Sequence, residues 1–396
     1  MFSWTPLACF TAIAAVYACG DFLSNKTKGY ISSMVFAAII GLAMFWLGVF
    51  PKDIAVNSTL TATLSGYAVA LLLVNMGTSI DLESLLAEWK TVLICCAGLV
   101  GIGILSFTVG IFIFGREYAL TAAPPIAGGV IAYQIVAEVA TANGRLDLAG
   151  YAALVMALQG FVGMPIASIC LKKELSKMYK DGHLSADYTP EKAKKLKIPE
   201  TRIFHDVAVK NDTPTLKFAK LGLVAIVAYM FSSLTKGFIN VNISYLIFGV
   251  IFRKINFLPK NGLQSAGGYG ICSMALYALL FNGFSGVSPS DFLAMIWPIA
   301  GMLLLGATGI CVLAVVAGKM VGYSPAISIA VGITAMFGYP GTEIISKEVV
   351  SSMDNFSDIE KEKALDFVMP KMIVGGFTTV TIASVVFAGI IAPMIF

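Results

Sequence analysis

The chain has 396 residues, of which 58% are hydrophobic and only 13% are charged. Ordinary soluble domains carry about 25% charged residues, so this composition excludes a soluble enzyme or binding domain. The formal net charge is +4, but the basic residues lie in loops between apolar runs, which argues against a nucleic-acid partner. Both histidines, His183 and His205, fall in one polar segment, so neither a metal site nor a catalytic site is predicted.

The first 171 residues contain apolar runs near the length of about twenty residues that spans a bilayer. Between the fourth and fifth runs lies the stretch 121–144, TAAPPIAGGVIAYQIVAEVATANG, which Pro and Gly interrupt. We interpret it as a broken hairpin. The five predicted spans lie near 6–23, 30–50, 60–78, 91–115 and 148–171.

A polar segment rich in Lys and Arg, 172–216, separates the two halves and is predicted to be a cytoplasmic connector. The second half, 217–396, repeats the order of the first. Its broken stretch is 324–348, SPAISIAVGITAMFGYPGTEIISKE, in which Gly338, Pro340 and Gly341 interrupt the apolar run. The predicted spans of this half lie near 217–238, 242–252, 262–284, 292–317 and 369–396.

Internal repetition supports this division. The two broken stretches align at an offset of 205, which pairs Tyr118 with Tyr323 and Glu138 with Glu343. A second match, at an offset of 216, pairs residues 160–168 with residues 376–384.

The placement of basic loops decides the topology. If each broken stretch crossed the membrane, the basic loop at Lys26 and Lys28 would lie opposite the basic connector, against the positive-inside rule. If each instead re-enters on one face, each half crosses five times, both termini lie outside and the second repeat is inverted. The sequence therefore predicts an all-α polytopic membrane protein. It would have ten transmembrane helices in two inverted five-helix repeats, each with a re-entrant hairpin.

Three short motifs stand out, Ala127–Gly129, Gly338–Thr342, and Val368–Pro370 ahead of Gly375–Phe377. With the predicted architecture, they resemble those of a known family, the bacterial sodium/glutamate symporters, and more distantly those of the sodium/citrate carriers. The resemblance implies a homodimer in the bacterial inner membrane that couples Na⁺ to the uptake of glutamate or a related carboxylate. It also implies an elevator-type movement of the hairpin-bearing core against a fixed scaffold.

The hairpin tips are the predicted substrate site, because a helix N-terminus inside the membrane offers free N–H groups to a carboxylate. Glycines allow close approach of the backbone, and neutral polar side chains or a lysine supply further contacts. Lys371 has the alternative of extending to the cytoplasmic face. The predicted substrate-binding residues are Gly128, Gly129, Gln134, Gly338, Gly341, Thr342, Lys371 and Thr378.

Cation binding is predicted from the polar side chains that are costly inside a membrane. The candidates are Glu138, Glu343, Asn75 and Asn282. Glu343 has the alternative of an ion pair with Lys347, Glu138 that of a surface position near Arg145, and the two asparagines that of helix capping.

Two other readings of the function stay open within transport, a cation/proton antiporter and an amino-acid exporter of the same inverted-repeat fold. A membrane sensor or channel is the rival from another class. An enzyme is not predicted, because the spans contain no nucleophile–base pair.

Overall fold

A computed structural model of the chain describes residues 3–27, 33–61, 65–79, 82–184, 203–204, 212–235 and 241–396. These residues are almost entirely helical, with no β-strand among them. Most of the predicted connector, 172–216, lies outside the described residues. Within the connector, only 172–184, 203–204 and 212–216 are described.

The described part of the first half contains eleven α-helices, with a π-helical segment at Ser106–Gly110. The helices are α1 (Pro6–Lys26), α2 (Ser33–Trp46), α3 (Ile54–Asn57), α4 (Ser65–Ser79), α5 (Leu82–Ala87), α6 (Trp89–Leu105), α7 (Ile111–Phe114), α8 (Arg116–Ala127), α9 (Val130–Ala142), α10 (Leu146–Leu158) and α11 (Gly160–Lys180).

The second half forms nine described α-helices, two 3₁₀ turns at Ile333–Met336 and Ala392–Met394, and a π-helical segment at Thr378–Ala383. The helices are α12 (Pro214–Leu234), α13 (Val241–Lys254), α14 (Gly262–Ser265), α15 (Tyr269–Ser285), α16 (Pro289–Val321), α17 (Pro325–Gly332), α18 (Gly338–Ser351), α19 (Asp358–Phe377) and α20 (Ser384–Ile391).

Six helical stretches in the described part are long and apolar enough to cross a membrane. They are 6–24, 89–114, 146–180, 214–234, 289–321 and 358–394. The other four predicted spans coincide with the shorter helices α2, α4, α13 and α15. This is the composition of a multi-pass membrane protein.

The chain forms two compact units, and each takes segments from both halves of the sequence. The smaller unit comprises Met1–Val16, Gly41–Leu82 and Lys197–Gly286. The larger unit comprises Tyr17–Ile40, Glu83–Leu196 and Val287–Phe396, and it contains both broken stretches.

Close helix packing through glycine stabilises each unit. In the smaller unit α4 and α13 meet at Gly77 and Gly249, where a Cβ on either glycine would overlap the backbone of the facing helix. In the larger unit Gly101 of α6 and Gly309 of α16 meet in the same way. Small residues at such crossings let helices approach closely in lipid, where dispersion and backbone contacts replace hydrophobic burial.

Candidate functional site

The first broken stretch is a true interruption of helical backbone. α8 ends at Ala127, and α9 begins at Val130. Gly128 and Gly129, which lie between them, have φ of 113° and 89° and ψ of 144°. This extended backbone at positive φ is nearly restricted to glycine. The sequence GG therefore places the break at this point.

The two arms of the first break fold back on each other, and we call α8 with α9 the first hairpin. Arg145, just beyond α9, forms an ion pair with Glu117 in the first turn of α8. The same guanidinium binds Asp147 at 2.8 Å. Beside them the rings of Tyr118 and Tyr151 meet edge to face, with centroids 4.9 Å apart. The open ends of both arms therefore lie together, as a hairpin requires.

Arg145 stays positively charged and holds the open ends of the two arms together. Hydrogen bonds to Asp147 and Glu117 raise the pKa of the Arg145 guanidinium above its already high usual value. The three side chains are about a third or more exposed, so each pair contributes only about 0.2–1 kcal/mol. The role of these ion pairs is to position the open ends of the two arms.

The second broken stretch unwinds more gradually. α17 passes into the 3₁₀ turn Ile333–Met336, Phe337 leaves helical geometry with φ −143°, and α18 begins at Gly338 with φ +56°. In the 3₁₀ turn the hydrogen bonds join residues three apart instead of four. A different set of carbonyl groups is therefore bonded at the C-terminal end of this arm. We call α17, the 3₁₀ turn and α18 together the second hairpin.

Helix α11 shows that the second hairpin also folds back. Near the start of α11, a Cβ on Gly341 would lie 3.1 Å from Met164 Cε, so the tip of the hairpin is here. Near the end of α11, Ser324 hydrogen-bonds to Glu174, and Tyr179 stacks on Phe356 with centroids 5.0 Å apart. Both open ends of the hairpin therefore lie near the C-terminus of α11. The tip contact at Met164 and the contact of the open ends at Tyr179 are therefore about 22 Å apart along α11, since a helix rises ~1.5 Å per residue.

The two hairpins open toward opposite ends of the larger unit. Helices α10 and α11 form one apolar stretch of 35 residues, 146–180, because Gln159 between them keeps helical dihedral angles. The open ends of the first hairpin, which we call its base, lie at Arg145, at the start of this stretch. The base of the second lies at its end, beside Tyr179. The stretch 358–394 runs the other way, since Arg116 at the first base donates to Met394 O at 3.0 Å.

The hairpin tips meet at Val380 in the π-helical segment Thr378–Ala383. A Cβ on Gly128 would lie 3.0 Å from Val380 Cγ2, and one on Gly129 would lie 2.8 Å from Val380 O. A Cβ on Gly338, from the other hairpin, would lie 2.5 Å from Val380 Cγ2. The tips of both hairpins thus converge on one residue in the middle of stretch 358–394.

Three predicted substrate-binding side chains are buried and leave polar atoms without a partner in the described part of the chain. Gln134 Oε1, Thr342 Oγ1 and Thr378 Oγ1 have no hydrogen-bond partner there. Their residues are 1%, 0% and 2% exposed. A buried polar atom left unpaired costs about 1–3 kcal/mol, so a hydrogen-bonding group would stabilise each of them.

Two helix N-termini point into the same region. α9 begins at Val130 and α18 at Gly338, and neither has a side-chain cap or an acidic residue in its first turn. Each N-terminus carries free N–H groups and roughly half a positive charge.

Comparison with known proteins finds no family model that matches the chain and no curated protein that matches it. Among solved structures the chain is similar to the sodium proton antiporter MjNhaP1 from Methanocaldococcus jannaschii at pH 8. The identity is 13% and the TM-score 0.44, over 97% of this chain and 96% of that one. A TM-score below 0.5 does not establish a common fold. The resemblance to the sodium/glutamate symporters therefore remains a prediction from the motifs.

Lys371 has a partner that the sequence did not reveal. Its Nζ lies 3.6 Å from Glu88 Oε1, and the two side chains are only 15% and 19% exposed. Glu88 Oε2 also accepts hydrogen bonds from Thr91 Oγ1 at 3.0 Å and from Tyr323 OH at 3.3 Å. We call these four residues the Glu88 cluster. It joins the start of α6, the approach to the second hairpin and α19, and it leaves Lys371 neutralised.

The two predicted glutamates differ in their surroundings. Glu343 forms an i,i+4 ion pair with Lys347, at 2.6 Å from Nζ, with side chains 31% and 60% exposed. Glu138 is exposed on α9 and accepts a hydrogen bond from Gln134 Nε2 at 2.8 Å. The exposure of Glu138 agrees with its alternative of a surface position, and Arg145 is engaged by Glu117 and Asp147.

The two predicted asparagines belong to the smaller unit. Asn75 Oδ1 accepts from Leu263 N at 2.8 Å, and its Nδ2 donates to Gln264 Oε1 at 2.8 Å. Asn75 therefore tethers the turn at α14, and its role as a cation ligand stays a prediction. Asn282 is half-buried on α15, and its carbonyl accepts from Ser285 Oγ at 2.8 Å.

Sequence reasoning missed Val380 and Glu88. A signal for Val380 was present, because the repeat offset of 216 pairs it with Met164. Met164 contacts Gly341 of the second hairpin, and Val380 contacts Gly128 of the first hairpin. Glu88 carried no such signal, since its partners Tyr323 and Lys371 are far away in sequence.

Proposed function

We propose that this protein is a secondary active transporter whose solute site lies between the tips of the two hairpins. The observation that carries the proposal is the convergence of both tips on Val380, beside the buried and unpartnered Thr342 Oγ1 and Thr378 Oγ1. Helical backbone is interrupted inside membranes only where protein or a cavity satisfies the freed groups. Two broken helices that approach from opposite ends are the arrangement that secondary transporters use.

The finer proposal is uptake of a carboxylate, with glutamate as the leading solute and Na⁺ as the coupling ion. The uncapped N-termini of α9 and α18 favour an anionic group at the tips. The ends of α8 and of the 3₁₀ turn Ile333–Met336 present carbonyl groups, which suit Na⁺. In the elevator-type movement proposed here, the unit with the hairpins carries the solute.

Exchange of cations for protons is the second candidate function. Glu138 favours it, since a carboxylate on the hairpin arm, held by Gln134 at 2.8 Å, is a group that could release a proton to bind a cation. Glu343 is engaged by Lys347 and contributes less to this reading. Export of an amino acid would use the same site in the other direction.

Reconstitution in proteoliposomes tests these proposals. Labelled glutamate, aspartate, succinate and citrate are offered under an inward sodium gradient and, separately, under a proton gradient. Uptake of a carboxylate driven by sodium supports the leading proposal. Sodium-driven proton movement without any organic solute would reject it in favour of the antiporter, and the absence of all these fluxes would reject both.

A further inference from the structure

Val380 lies against glycines from the tips of both hairpins. The isopropyl group lies against three of them at once. A Cβ on Gly338 would lie 2.5 Å from Val380 Cγ2, one on Gly128 would lie 3.0 Å from the same atom, and one on Gly129 would lie 3.1 Å from Cγ1. The space between the tips is therefore filled from one side by this side chain.

We propose that Val380 is a specificity-determining residue, which sets the length of solute that fits between the hairpin tips. The inference rests on the proposed function and goes beyond it, because it names the group that measures the solute. Val380 is apolar and carries no charge, so its contribution is steric.

The backbone holds Val380 in a fixed place. It lies in the π-helical segment Thr378–Ala383, a form that is rare and concentrated at functional sites. Ser384 Oγ donates to Val380 O at 2.9 Å, which satisfies the carbonyl that faces Gly129. A β-branched side chain in a helix has one strongly preferred rotamer. The isopropyl group thus forms a rigid wall.

The polar groups around the wall define which part of the solute it meets. The N-termini of α9 and α18 and the hydroxyl of Thr378, two residues before Val380, would hold a carboxylate. In this proposal the methylene chain of the same solute lies against Val380. One methylene in an apolar pocket changes a specificity ratio about ten- to two-hundredfold.

The test compares two opposite changes, Val380→Ala and Val380→Ile, in proteoliposomes. The probes are labelled L-aspartate, L-glutamate and L-2-aminoadipate, which differ by one methylene each, with succinate, glutarate and adipate as the series without an amino group. The measured quantity is the ratio of Vmax/KM between successive members. We expect this ratio to shift about tenfold toward the longer member in V380A and about tenfold toward the shorter member in V380I.

Val385→Ala is the matched control, because Val385 is fully buried on α20 and is not among the atoms nearest the tip glycines. The ratios should equal those of the wild type. If V380A does not fold, the V380I ratios decide alone. Wild-type uptake of any probe with unchanged ratios in V380I overturns the inference and leaves the proposed function standing. A wild type that carries none of the probes under either gradient overturns the proposed carboxylate transport itself.

Discussion

Lys371 and Glu88 are far apart in the sequence but form an ion pair, in which Lys371 Nζ lies 3.6 Å from Glu88 Oε1. The pair is mostly buried, and the Lys371 ammonium also donates to Phe367 O at 3.3 Å and lies 4.4 Å from the Phe367 ring centroid. The pair neutralises Glu88 beside the approach to the second hairpin. A contact of Lys371 with the solute stays a prediction.

The first prediction tests this role of Lys371. Lys371→Met should destabilise the protein by roughly 3 kcal/mol, because it leaves a mostly buried carboxylate without its cation. The double variant E88Q/K371M should recover most of that loss, since both charges are then gone. Thermal unfolding in detergent measures the stability. If instead K371M unfolds like the wild type and only its uptake KM rises, Lys371 contacts the solute.

The second prediction concerns the hydroxyl of Thr378, which has no partner among the described residues. Thr378→Val should leave the solute-free protein as stable as the wild type or up to about 1 kcal/mol more stable, because a buried unpaired group is removed. The uptake KM should rise about tenfold, as expected for the loss of one hydrogen bond to a charged group.

Thr379→Val is the control for Thr378. The Thr379 hydroxyl donates to Gly375 O at 2.8 Å within its own helix and is fully buried. This variant should lose about 1 kcal/mol of stability and keep a KM within about twofold of the wild type. Equal effects of the two variants on KM would contradict a solute contact at Thr378.

A third prediction uses the different surroundings of the tip glycines. Gly338→Ala should abolish uptake, because its Cβ would lie 2.5 Å from Val380 Cγ2 at φ +56°. Since only Val380 is in the way, the double variant G338A/V380A should recover much of the uptake, with about 1–2 kcal/mol of left-handed backbone strain remaining.

Gly128 supplies the comparison for this rescue. A Cβ there would also lie 2.7 Å from Ala335 O, which is backbone and cannot be trimmed away. G128A/V380A should therefore stay as inactive as G128A. Rescue of both glycine variants to the same extent would mean that the tips are loosely packed.

The fourth prediction concerns the side of the membrane from which each hairpin enters. Asn143 and Asn355 are exposed at the bases of the first and second hairpins. In a background without the native cysteines, N143C should react with an impermeant thiol reagent from outside, and N355C only from the cytoplasmic side. Labelling of both from one side of intact cells would refute the inverted arrangement.

The fifth prediction separates the two glutamates. Glu138→Gln should raise the sodium concentration for half-maximal uptake severalfold, because it removes a hairpin carboxylate from the cation. Glu343→Gln should leave that value within about twofold, since its carboxylate serves an exposed i,i+4 pair worth about 0.3–0.5 kcal/mol. Unchanged sodium dependence in both variants would remove the carboxylates from the coupling step.

Much of the fold could be read from the sequence, because it depends on local properties. Hydropathy indicated the six helical stretches that are long enough to cross a membrane, and glycine marked the interruptions of helix at Gly128–Gly129 and at Gly338. These signals are local, since positive φ is a demand on one residue and apolar length is a property of one run.

The tertiary structure alone decided which polar groups have partners. Lys371 was predicted for the solute and binds Glu88, and Asn75 was predicted for a cation and holds Leu263 N. Thr378 and Thr379 are neighbours of the same type, yet only the Thr378 hydroxyl is left without a partner among the described residues. Hydrogen bonds and burial depend on which segments pack together. That packing joins residues hundreds of positions apart, so no local pattern encodes it.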